Sequence, residues 1–422
     1  MTREKRTSDS EKQVTKLAVI GQGYVGLPLA YSASRAGYNV VGIDVDKSRV
    51  AKLSRGESFV PDVSEDRLLE MKALGYVASS FYSDISGFNI AVITVPTPLA
   101  NGRPDLRLVE SAARSVGELL NPQGLVILES TTYPGTTREL VIPILEKESG
   151  LKAGIDFYVG YSPERIDPGN KHWNISNTPK VVSGLDITST QKVAEFYATF
   201  VKDVCVVQSL ETAELTKLLE NTFRHTNIAL VNELAKFSNS LGVNIWEAIA
   251  AADTKPFGFM KFLPGPGVGG HCLPIDPTFL SWKAEQVSGE KFTMIDSANE
   301  VNAAMPSFVV KKLLENVQDN SLPKSVLVVG LSYKENTGDI RESPSLEIVK
   351  LLQAAGHQVF AMDPLVAENE WPPGLDRVDV GFSQTFDLAI VACLHDQIEV
   401  HRILDQCSLV FDSRNYLGTQ GA

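Results

Sequence analysis

The chain has 422 residues, 43% of them hydrophobic and 21% charged, which is more than one hydrophobic core usually fills and predicts two or three globular domains. Acidic residues outnumber basic ones by 51 to 39, and the formal charge of −12 argues against nucleic acid or an anionic membrane as a main partner. The four cysteines form no CxxC pair and the six histidines show no ligand spacing, so neither a disulfide framework nor a metal site is predicted.

The first 15 residues are charged and lack an apolar segment. We interpret 1–15 as a disordered tail rather than a signal peptide or a membrane anchor. No apolar run in the sequence approaches the ~18 residues of a membrane span. The sequence therefore predicts a cytoplasmic protein.

Residues 16–208 alternate short runs rich in Val and Ile with helical patterns. Such runs are typical of buried parallel strands, and the spacing between them leaves room for crossover helices. We expect a Rossmann-like, doubly wound parallel sheet with strands at 16–21, 39–44, 90–95, 125–130 and 157–161.

A glycine-rich turn follows the first predicted strand and opens a helix. Gly21 allows a tight turn, Gly23 lets a pyrophosphate approach the backbone, and Gly26 permits close packing of helix on strand. The helix N-terminus offers N–H groups and partial positive charge to the phosphates. A dinucleotide site is therefore predicted, with a glycine turn that binds no nucleotide as the alternative.

Asp44 ends the next predicted strand. A carboxylate there accepts hydrogen bonds from the adenosine ribose and repels a 2′-phosphate, which favours NAD over NADP as the cofactor. The nearby Arg49 could lie on the ribose or on the adenine ring. Within the turn itself, Tyr24 and Val25 are further candidates for cofactor contacts.

Apolar residues recur at helical spacing for about thirty residues from Ser209, a plausible N-cap, with Glu211 and Glu214 near the positive end of the helix. We expect this long helix to act as a spine or dimer surface within a helical domain at 209–320. The α/β pattern then returns at 321–422, with strands at 325–331, 357–363, 387–394 and 408–413. The predicted fold is α/β: two Rossmann-like doubly wound domains joined by a central helical domain.

The second α/β unit does not repeat the glycine fingerprint. Its first turn places Ser332 and Lys334 after Gly330, and Arg341 follows. Because such folds bind ligands at the carboxyl edge of the sheet, we predict a site for a second phosphorylated molecule here. The alternative is that Lys334 and Arg341 are two solvated surface cations.

Residues 265–277 read GPGVGGHCLPIDP, a loop that carries Cys272. Backbone N–H groups in such a loop can steady a thiolate, so Cys272 is a candidate nucleophile, whereas Cys205 and Cys393 are interpreted as small buried hydrophobes inside strands. A NAD site together with a nucleophilic cysteine suggests that an aldehyde is captured as a thiohemiacetal, oxidised to a thioester and hydrolysed.

The chain resembles the UDP-glucose/GDP-mannose dehydrogenase family over nearly its whole length from about residue 16. The resemblance is carried, in order, by GQGYVGLP, VPTP, ESTTYPGT, YSPERIDPGN, AELTKLLENTFR, the cysteine loop and YKENTGDIRES. It implies oxidation of the C6 hydroxyl of a nucleotide-linked hexose to a carboxylate, with two NAD and one water consumed.

The resemblance also implies roles for individual residues. Cys272 would be the covalent nucleophile, Lys217 and Asn221 would hold the C6 oxygen, and Asp276 would assist proton removal through a water. Glu164 would help to deliver the hydrolytic water, and Thr131 would lie beside the nicotinamide. From the helical pattern alone, Lys217 would face solvent.

The cysteine loop indicates which sugar is oxidised. His271 before Cys272 and Ile275 before Asp276, together with TKPFGF at 254–259, resemble the branch acting on UDP-N-acetylglucosamine. UDP-glucose and UDP-N-acetylmannosamine are the alternative substrates. Two further alternatives are an enzyme that stops after one hydride and a catalytically idle nucleotide-binding assembly protein.

Further contacts follow from the same resemblance. The expected partners are a UDP-sugar and a second copy of the chain, which would form a homodimer or higher oligomer. The other expected contact residues are Thr97 for the cofactor and Arg165, Arg224, Phe262, Gly267, Tyr333, Lys334 and Arg341 for the substrate.

Overall fold

The computed structural model describes residues 15–167, 170, 172–238, 240–270, 273–315, 317 and 324–418. Two compact units divide after Lys217, except that 101–103 group with the second. Of the predicted tail, all but Thr15 lies outside the described residues. No helix in the described ranges is both long and apolar enough to cross a bilayer.

The first unit is built on an eight-stranded sheet of order β10-β9-β8-β7-β4-β1-β2-β3. The elements up to residue 206, with helices between most strands, are β1 Lys16–Ile20, α1 Gly26–Arg35, β2 Asn39–Ile43, α2 Lys47–Arg55, α3 Glu65–Ala73, β3 Val77–Ser79, β4 Ile90–Ile93, β5 Leu99–Ala100, β6 Arg103–Pro104, α4 Arg107–Gly117, β7 Leu125–Leu128, α5 Ile142–Ser149, β8 Tyr158–Tyr161, β9 Lys180–Gly184, α6 Ile187–Ala198 and β10 Val204–Val206.

The five predicted strands of this unit are present, and neighbouring strands pair in parallel with one exception. β9 runs antiparallel to β8, because the described part of the connection between them holds no crossover helix. β3 and β9 were not predicted, and β10 was predicted only as the strand around Cys205. β3 and β10 are only three residues long, and β9 begins with a lysine.

The apolar runs of the central strands form the core of this sheet. Leu17, Val19, Val92 and Ile127 are fully buried in it. Burial of such side chains stabilises the fold by ~1.5–3 kcal/mol each before the entropy cost. The residues that follow the carboxyl ends of these strands are thereby brought to one edge of a rigid layer.

The remaining elements form the helical middle and a second sheet. They are α7 Leu210–Ser238, α8 Ile245–Asp253, α9 Asp276–Ser288, α10 Thr293–Glu315, β11 Ser325–Val329, α11 Pro344–Ala354, β12 Gln358–Met362, β13 Asp376–Arg377, β14 Phe386–Val391, α12 Val400–Gln406 and β15 Cys407–Asp412. The second sheet has the order β13-β12-β11-β14-β15, and all its strand pairs are parallel.

The start of α7 agrees with its predicted signals. Ser209 caps the helix by accepting a 3.1 Å hydrogen bond from the Thr212 N–H. Glu214 lies inward and accepts bonds of 2.6 Å and 2.8 Å from the N–H groups of Gly135 and Thr137. Burial raises the pKa of Glu214 to about 7 against these bonds.

The cysteine interpretation requires two corrections. Cys205 lies in β10 but is exposed, because β10 is the edge strand of the sheet. Cys393 is buried as expected but lies beyond the end of β14 rather than inside it. Burial raises the pKa of the Cys393 thiol to about 12, so it stays protonated.

The turn after β11 resembles the turn after β1 in its backbone. Gly330 has φ +83° and donates to the Met362 carbonyl at 2.8 Å. Asp363, at the end of β12, accepts bonds from Leu331 N–H and Ser332 N–H and from Nε2 of His395 at 3.0 Å. Burial works to raise the pKa of Asp363, but the His395 bond and charge and the N–H bonds lower it to about 2.

Candidate active site

The glycine turn of the first unit is shaped as its sequence predicts. Gly21 has φ +97° and its N–H donates to the Ile43 carbonyl at 2.7 Å. A Cβ on Gly26 would lie 1.8 Å from the Gly21 carbonyl oxygen, whereas a Cβ on Gly23 would meet no atom within 4 Å. The backbone is thus open at Gly23, at the N-terminal end of α1, where a pyrophosphate would fit.

Asp44 is held rigidly at the end of β2. Its two carboxylate oxygens accept bonds of 3.0 Å from the Gln22 N–H and 2.9 Å from the Asp46 N–H. The Arg49 guanidinium lies 3.8 Å from the carboxylate and 5.7 Å from the Phe59 ring centroid. The aspartate is therefore preoriented for a ribose, with a cation beside it.

The loops after β4 and β7 meet in the same unit. Oγ1 of Thr97 donates a 2.8 Å bond to the carbonyl of Thr131. Thr131 and Val25 are half-buried, and Tyr24 is 41% exposed. The predicted cofactor residues of the strand ends and the glycine turn thus lie on one edge of the sheet.

Glu164, which follows β8, is buried and tightly bound. One carboxylate oxygen accepts bonds of 2.7 Å and 2.6 Å from the N–H groups of Arg165 and Ile166, and the other lies 3.1 Å from Nζ of Lys180. Burial works to raise the pKa of Glu164, but Lys180, Glu129, the Ile166 N–H and Lys217 together lower it.

Lys217 lies next to Glu164. Its Nζ donates a 2.5 Å bond to the Glu164 backbone carbonyl, and the side chain is buried. The solvent-facing position that helical periodicity alone suggested is therefore wrong, and the position implied by the family resemblance fits the contact.

Sequence reasoning missed a buried charge cluster behind Glu164. Nζ of Lys180 hydrogen-bonds Glu129 as well as Glu164, and Tyr197 donates a 2.8 Å bond to Glu129. Burial raises the pKa of Glu129 to about 7. The positive charge of Lys180 works to lower this pKa, and the negative charge of Glu164 raises it further. The sequence offered two signals of this cluster: Glu129 directly follows the apolar run LVIL, and Lys180 directly precedes the run VVSG.

In the second unit, the predicted Asn221 and Asp276 are in contact. Both are buried, and Nδ2 of Asn221 donates a 2.5 Å bond to the carboxylate of Asp276, the first residue of α9. Cys272 and His271 lie outside the described residues. Asp276 is four positions beyond Cys272, and α9 begins at this residue.

The glycine loop before Cys272 is anchored at both ends. The Gly265 N–H donates to Oδ1 of Asn232 at 2.9 Å, and the Gly270 N–H donates to the Arg341 carbonyl at 3.0 Å. A Cβ on Gly269 or Gly270 would lie 2.7 Å from Tyr333. Only glycine lets the loop pass this close to Tyr333, which explains the glycine density of the motif.

The other predicted substrate residues are placed as follows. Arg341 pairs with Asp339 through several bonds, the shortest 2.5 Å, and Lys334 is half-buried after β11. Arg224 is exposed, and Phe262 packs edge-on against Phe223 with centroids 5.8 Å apart. Gly267 has φ +132°, and Arg165 donates 2.8 Å to the Pro179 carbonyl. No group of three metal-ligating side chains occurs in the described part of the chain.

Comparison with known proteins places these residues in a family context. Models of the UDP-glucose/GDP-mannose dehydrogenase family match in succession: the NAD binding domain at 15–201, the central domain at 211–304 and the UDP binding domain at 327–419.

Individual relatives cover most of the chain. A UDP-N-acetyl-D-mannosamine dehydrogenase of Pyrococcus horikoshii is 38% identical over 83% of this chain and 84% of its own. A UDP-N-acetyl-D-glucosamine 6-dehydrogenase of Pseudomonas aeruginosa is 36% identical over 91% of each. The solved UDP-D-ManNAc dehydrogenase of Pyrococcus horikoshii superposes with a TM-score of 0.86, at 34% identity, over 95% of this chain and 96% of that one.

Asp44 should set the choice of cofactor. We expect Asp44→Ala to weaken NAD binding by roughly 10- to 100-fold, the equivalent of one charge-assisted contact. NADP should lose less, because the repulsion of its 2′-phosphate is removed and Arg49 is released. Calorimetric titration with both cofactors measures this, with Asp46→Asn, which keeps the cap of α2, as the control. A wild-type preference for NADP would contradict this assignment of Asp44.

Proposed function

The chain belongs to the UDP-glucose/GDP-mannose dehydrogenase family, and on that premise we propose that it oxidises UDP-N-acetylglucosamine to UDP-N-acetylglucosaminuronate. That it is an NAD-dependent UDP-sugar dehydrogenase follows from the family match and the relatives. The observation that carries the choice of sugar is the pair of segments TKPFGF and His271-Cys272-x-Pro-x-Asp-Pro. The Pseudomonas aeruginosa relative, named for this sugar, supports it.

UDP-N-acetylmannosamine is the second candidate, ahead of UDP-glucose. The observation in its favour is the Pyrococcus horikoshii relative, named for that sugar and 38% identical. Against it, a chain that resembled that branch would be expected to carry His-Pro-Arg near 254–256, whereas these residues read Thr-Lys-Pro. The two sugars differ in configuration at C2, so discrimination would fall to side chains around that carbon.

We assign the reaction to groups with suitable chemistry. NAD, when bound, accepts hydride from C6 in each of the two oxidations. Lys217 is held by the Glu164 carbonyl, and an ammonium has three N–H donors, so it can also bind the C6 oxygen and stabilise negative charge there. The family resemblance implies that Asn221, whose amide is fixed by Asp276, also binds the C6 oxygen, while Asp276 receives the hydroxyl proton through a water.

Cys272 would carry the second oxidation. Its thiolate bonds to C6 of the aldehyde to give a thiohemiacetal, and loss of hydride from that carbon leaves a thioester. Water then replaces sulfur at C6, with Glu164 taking a proton from the water. The carboxylate leaves and the thiol is regenerated.

The proposed function is tested by NADH formation with a panel of UDP- and GDP-sugars. We expect UDP-N-acetylglucosamine to give the highest kcat/KM and two NADH per sugar. A higher value for UDP-N-acetylmannosamine or UDP-glucose would overturn the choice of sugar alone. One NADH per sugar would point to an enzyme that stops at the aldehyde, and none to a nucleotide-binding protein without this activity.

A Cys272→Ser variant is the control for the covalent step. A serine hydroxyl is far less acidic than a thiol, and an ester is hydrolysed less readily than a thioester. The variant should bind both ligands but lose steady turnover, and mass spectrometry of the wild type should find any sugar adduct on Cys272 and not on Cys205. Full two-NADH turnover by Cys272→Ser would remove the covalent mechanism.

We propose that the diphosphate of the UDP-sugar binds at Lys334 and Arg341. These residues belong to a proposed UDP-sugar-binding domain at 321–422, whereas NAD would bind a domain at 16–208. Each charge-assisted contact is worth on the order of 1.5–3 kcal/mol. Replacing either residue by Ala should raise KM for the UDP-sugar about tenfold or more and leave NAD affinity unchanged. Lys350→Ala, an exposed cation of the same domain, is the control. An equal loss of both ligands would mean that the site is misplaced.

We propose a homodimer through α7. Large apolar side chains lie exposed along this helix at spacings of three, four and seven residues, as on an association face; they are Leu219, Phe223, Leu230, Leu234 and Phe237. Glutamate at both Leu219 and Leu234 should halve the mass measured by light scattering. Leu69→Glu, equally exposed on α3, should leave it unchanged, and a wild-type monomer would contradict the proposal.

A further inference from the structure

Four buried residues behind Glu164 form a unit that we name the Lys180 cluster: Glu129, Glu164, Lys180 and Tyr197. They come from the ends of β7 and β8, the start of β9 and the last turn of α6, and none is more than 8% exposed. Nζ of Lys180 binds one oxygen of each carboxyl group, and the two carboxyl groups are close enough to share a hydrogen bond. Two acids therefore share one buried cation.

This stoichiometry favours a retained proton. With both carboxyl groups ionised, the four residues would carry a net negative charge away from water, offset from outside the cluster by Lys217 at the Glu164 carbonyl. Such burial of net charge within the cluster is unfavourable. Glu164 accepts two backbone N–H bonds that stabilise its charged form. The partners described for Glu129 are Lys180, Glu164 and the Tyr197 hydroxyl. Below the raised pKa of Glu129, the charge therefore lies on Glu164 and the proton on Glu129.

We propose that Lys180 and Glu129 are positioning residues for Glu164 in the hydrolytic step: Lys180 fixes its carboxylate, and Glu129 takes over the proton that Glu164 removes from water. This inference rests on the proposed function. It adds that the base is two linked carboxyl groups, of which only Glu164 faces the reaction.

The proton balance of the step is as follows. The water oxygen bonds to C6 of the thioester as one of its protons passes to Glu164 and then to ionised Glu129. The C–S bond breaks with its electron pair on sulfur, and the remaining hydroxyl proton passes to the thiolate. The products are the C6 carboxylate and the free thiol. Glu129 finally releases its proton to solvent.

The pH dependence follows from the groups that surround Glu129. Lys180 on β9, Glu164 after β8 and Tyr197 on α6 face it, and Lys217 on α7 binds the Glu164 carbonyl. Below its raised pKa, Glu129 is protonated and cannot accept a further proton. Above that pKa it is ionised, and hydrolysis should be faster. The wild-type kcat should therefore rise with pH through neutrality.

The test compares Glu129→Gln with the wild type, because glutamine keeps hydrogen bonds to Lys180 and Tyr197 but cannot titrate. We expect unchanged KM for UDP-sugar and NAD, a kcat lowered by roughly 10- to 100-fold, as for loss of a general-base contribution, and loss of the rise near neutral pH. Lys180→Arg should retain more activity than Lys180→Met, since it keeps the charge. Glu110→Gln, at a half-buried partner of Arg114, is the control.

A second readout does not need turnover. A carboxyl group whose pKa is raised on folding contributes stability below its unfolded pKa, and that contribution is lost as pH rises through the folded pKa. The Tm of wild type relative to Glu129→Gln should therefore fall between pH 5 and pH 8, while Glu214, present in both, cancels.

The outcomes separate the two proposals. This inference alone would be overturned if the wild type gives two NADH per sugar, the pH profile of kcat is the same in Glu129→Gln, and the Tm difference between the two proteins does not change with pH. Failure of the wild type to oxidise any UDP-sugar would overturn the proposed function, and the hydrolytic role with it.

Discussion

Parallel pairing determines where chemistry can occur in the first unit. When β1, β2, β4, β7 and β8 lie side by side in parallel, every loop that leaves a carboxyl end emerges at one edge. Gly23, Asp44, Thr97, Thr131 and Glu164 all follow such ends. Residues more than a hundred positions apart in sequence thus share an edge because the backbone ladder leaves them no other place.

This edge of the sheet also contains charged side chains that are buried. Glu164 and Lys217 are buried, yet each has partners for its polar atoms: backbone N–H groups and Lys180 for the carboxylate, and a carbonyl oxygen for the ammonium. Buried charges persist only under such pairing. Removing the charge of one member alone is therefore destabilising, because its partner would remain charged and desolvated.

The sequence predicted the strands and the glycine turn because both depend on local pattern. Apolar runs next to the signal Gly21-x-Gly23-x-x-Gly26 predict a strand, a tight turn and a helix in succession, and Ser209 marked the start of α7 in the same way. The antiparallel direction of β9 was not predictable, since it depends on a long connection whose described residues form no helix. The burial of Lys217 was also hidden, because an amphipathic pattern does not tell a lysine that binds a distant carbonyl from one in water. The contact between Glu129 and Lys180 was not predictable, because each is a single charged residue beside a strand in the sequence and only the fold brings them together.

The turn after β11 has the same backbone shape as the turn after β1. The aspartates that follow the neighbouring strands, Asp44 after β2 and Asp363 after β12, differ in how many of their lone pairs are already in hydrogen bonds. Asp44 accepts two backbone N–H bonds and lies beside the exposed guanidinium of Arg49. Asp363 accepts N–H bonds from Leu331, Ser332, Leu365 and Val366, together with the Ser332 hydroxyl and His395. A carboxylate has about four lone-pair sites, so Asp363 is saturated by its own chain. The same turn therefore serves two purposes in this chain. The Asp44 carboxylate retains lone pairs that can accept hydrogen bonds from a ligand, whereas those of Asp363 are used to hold its own domain together.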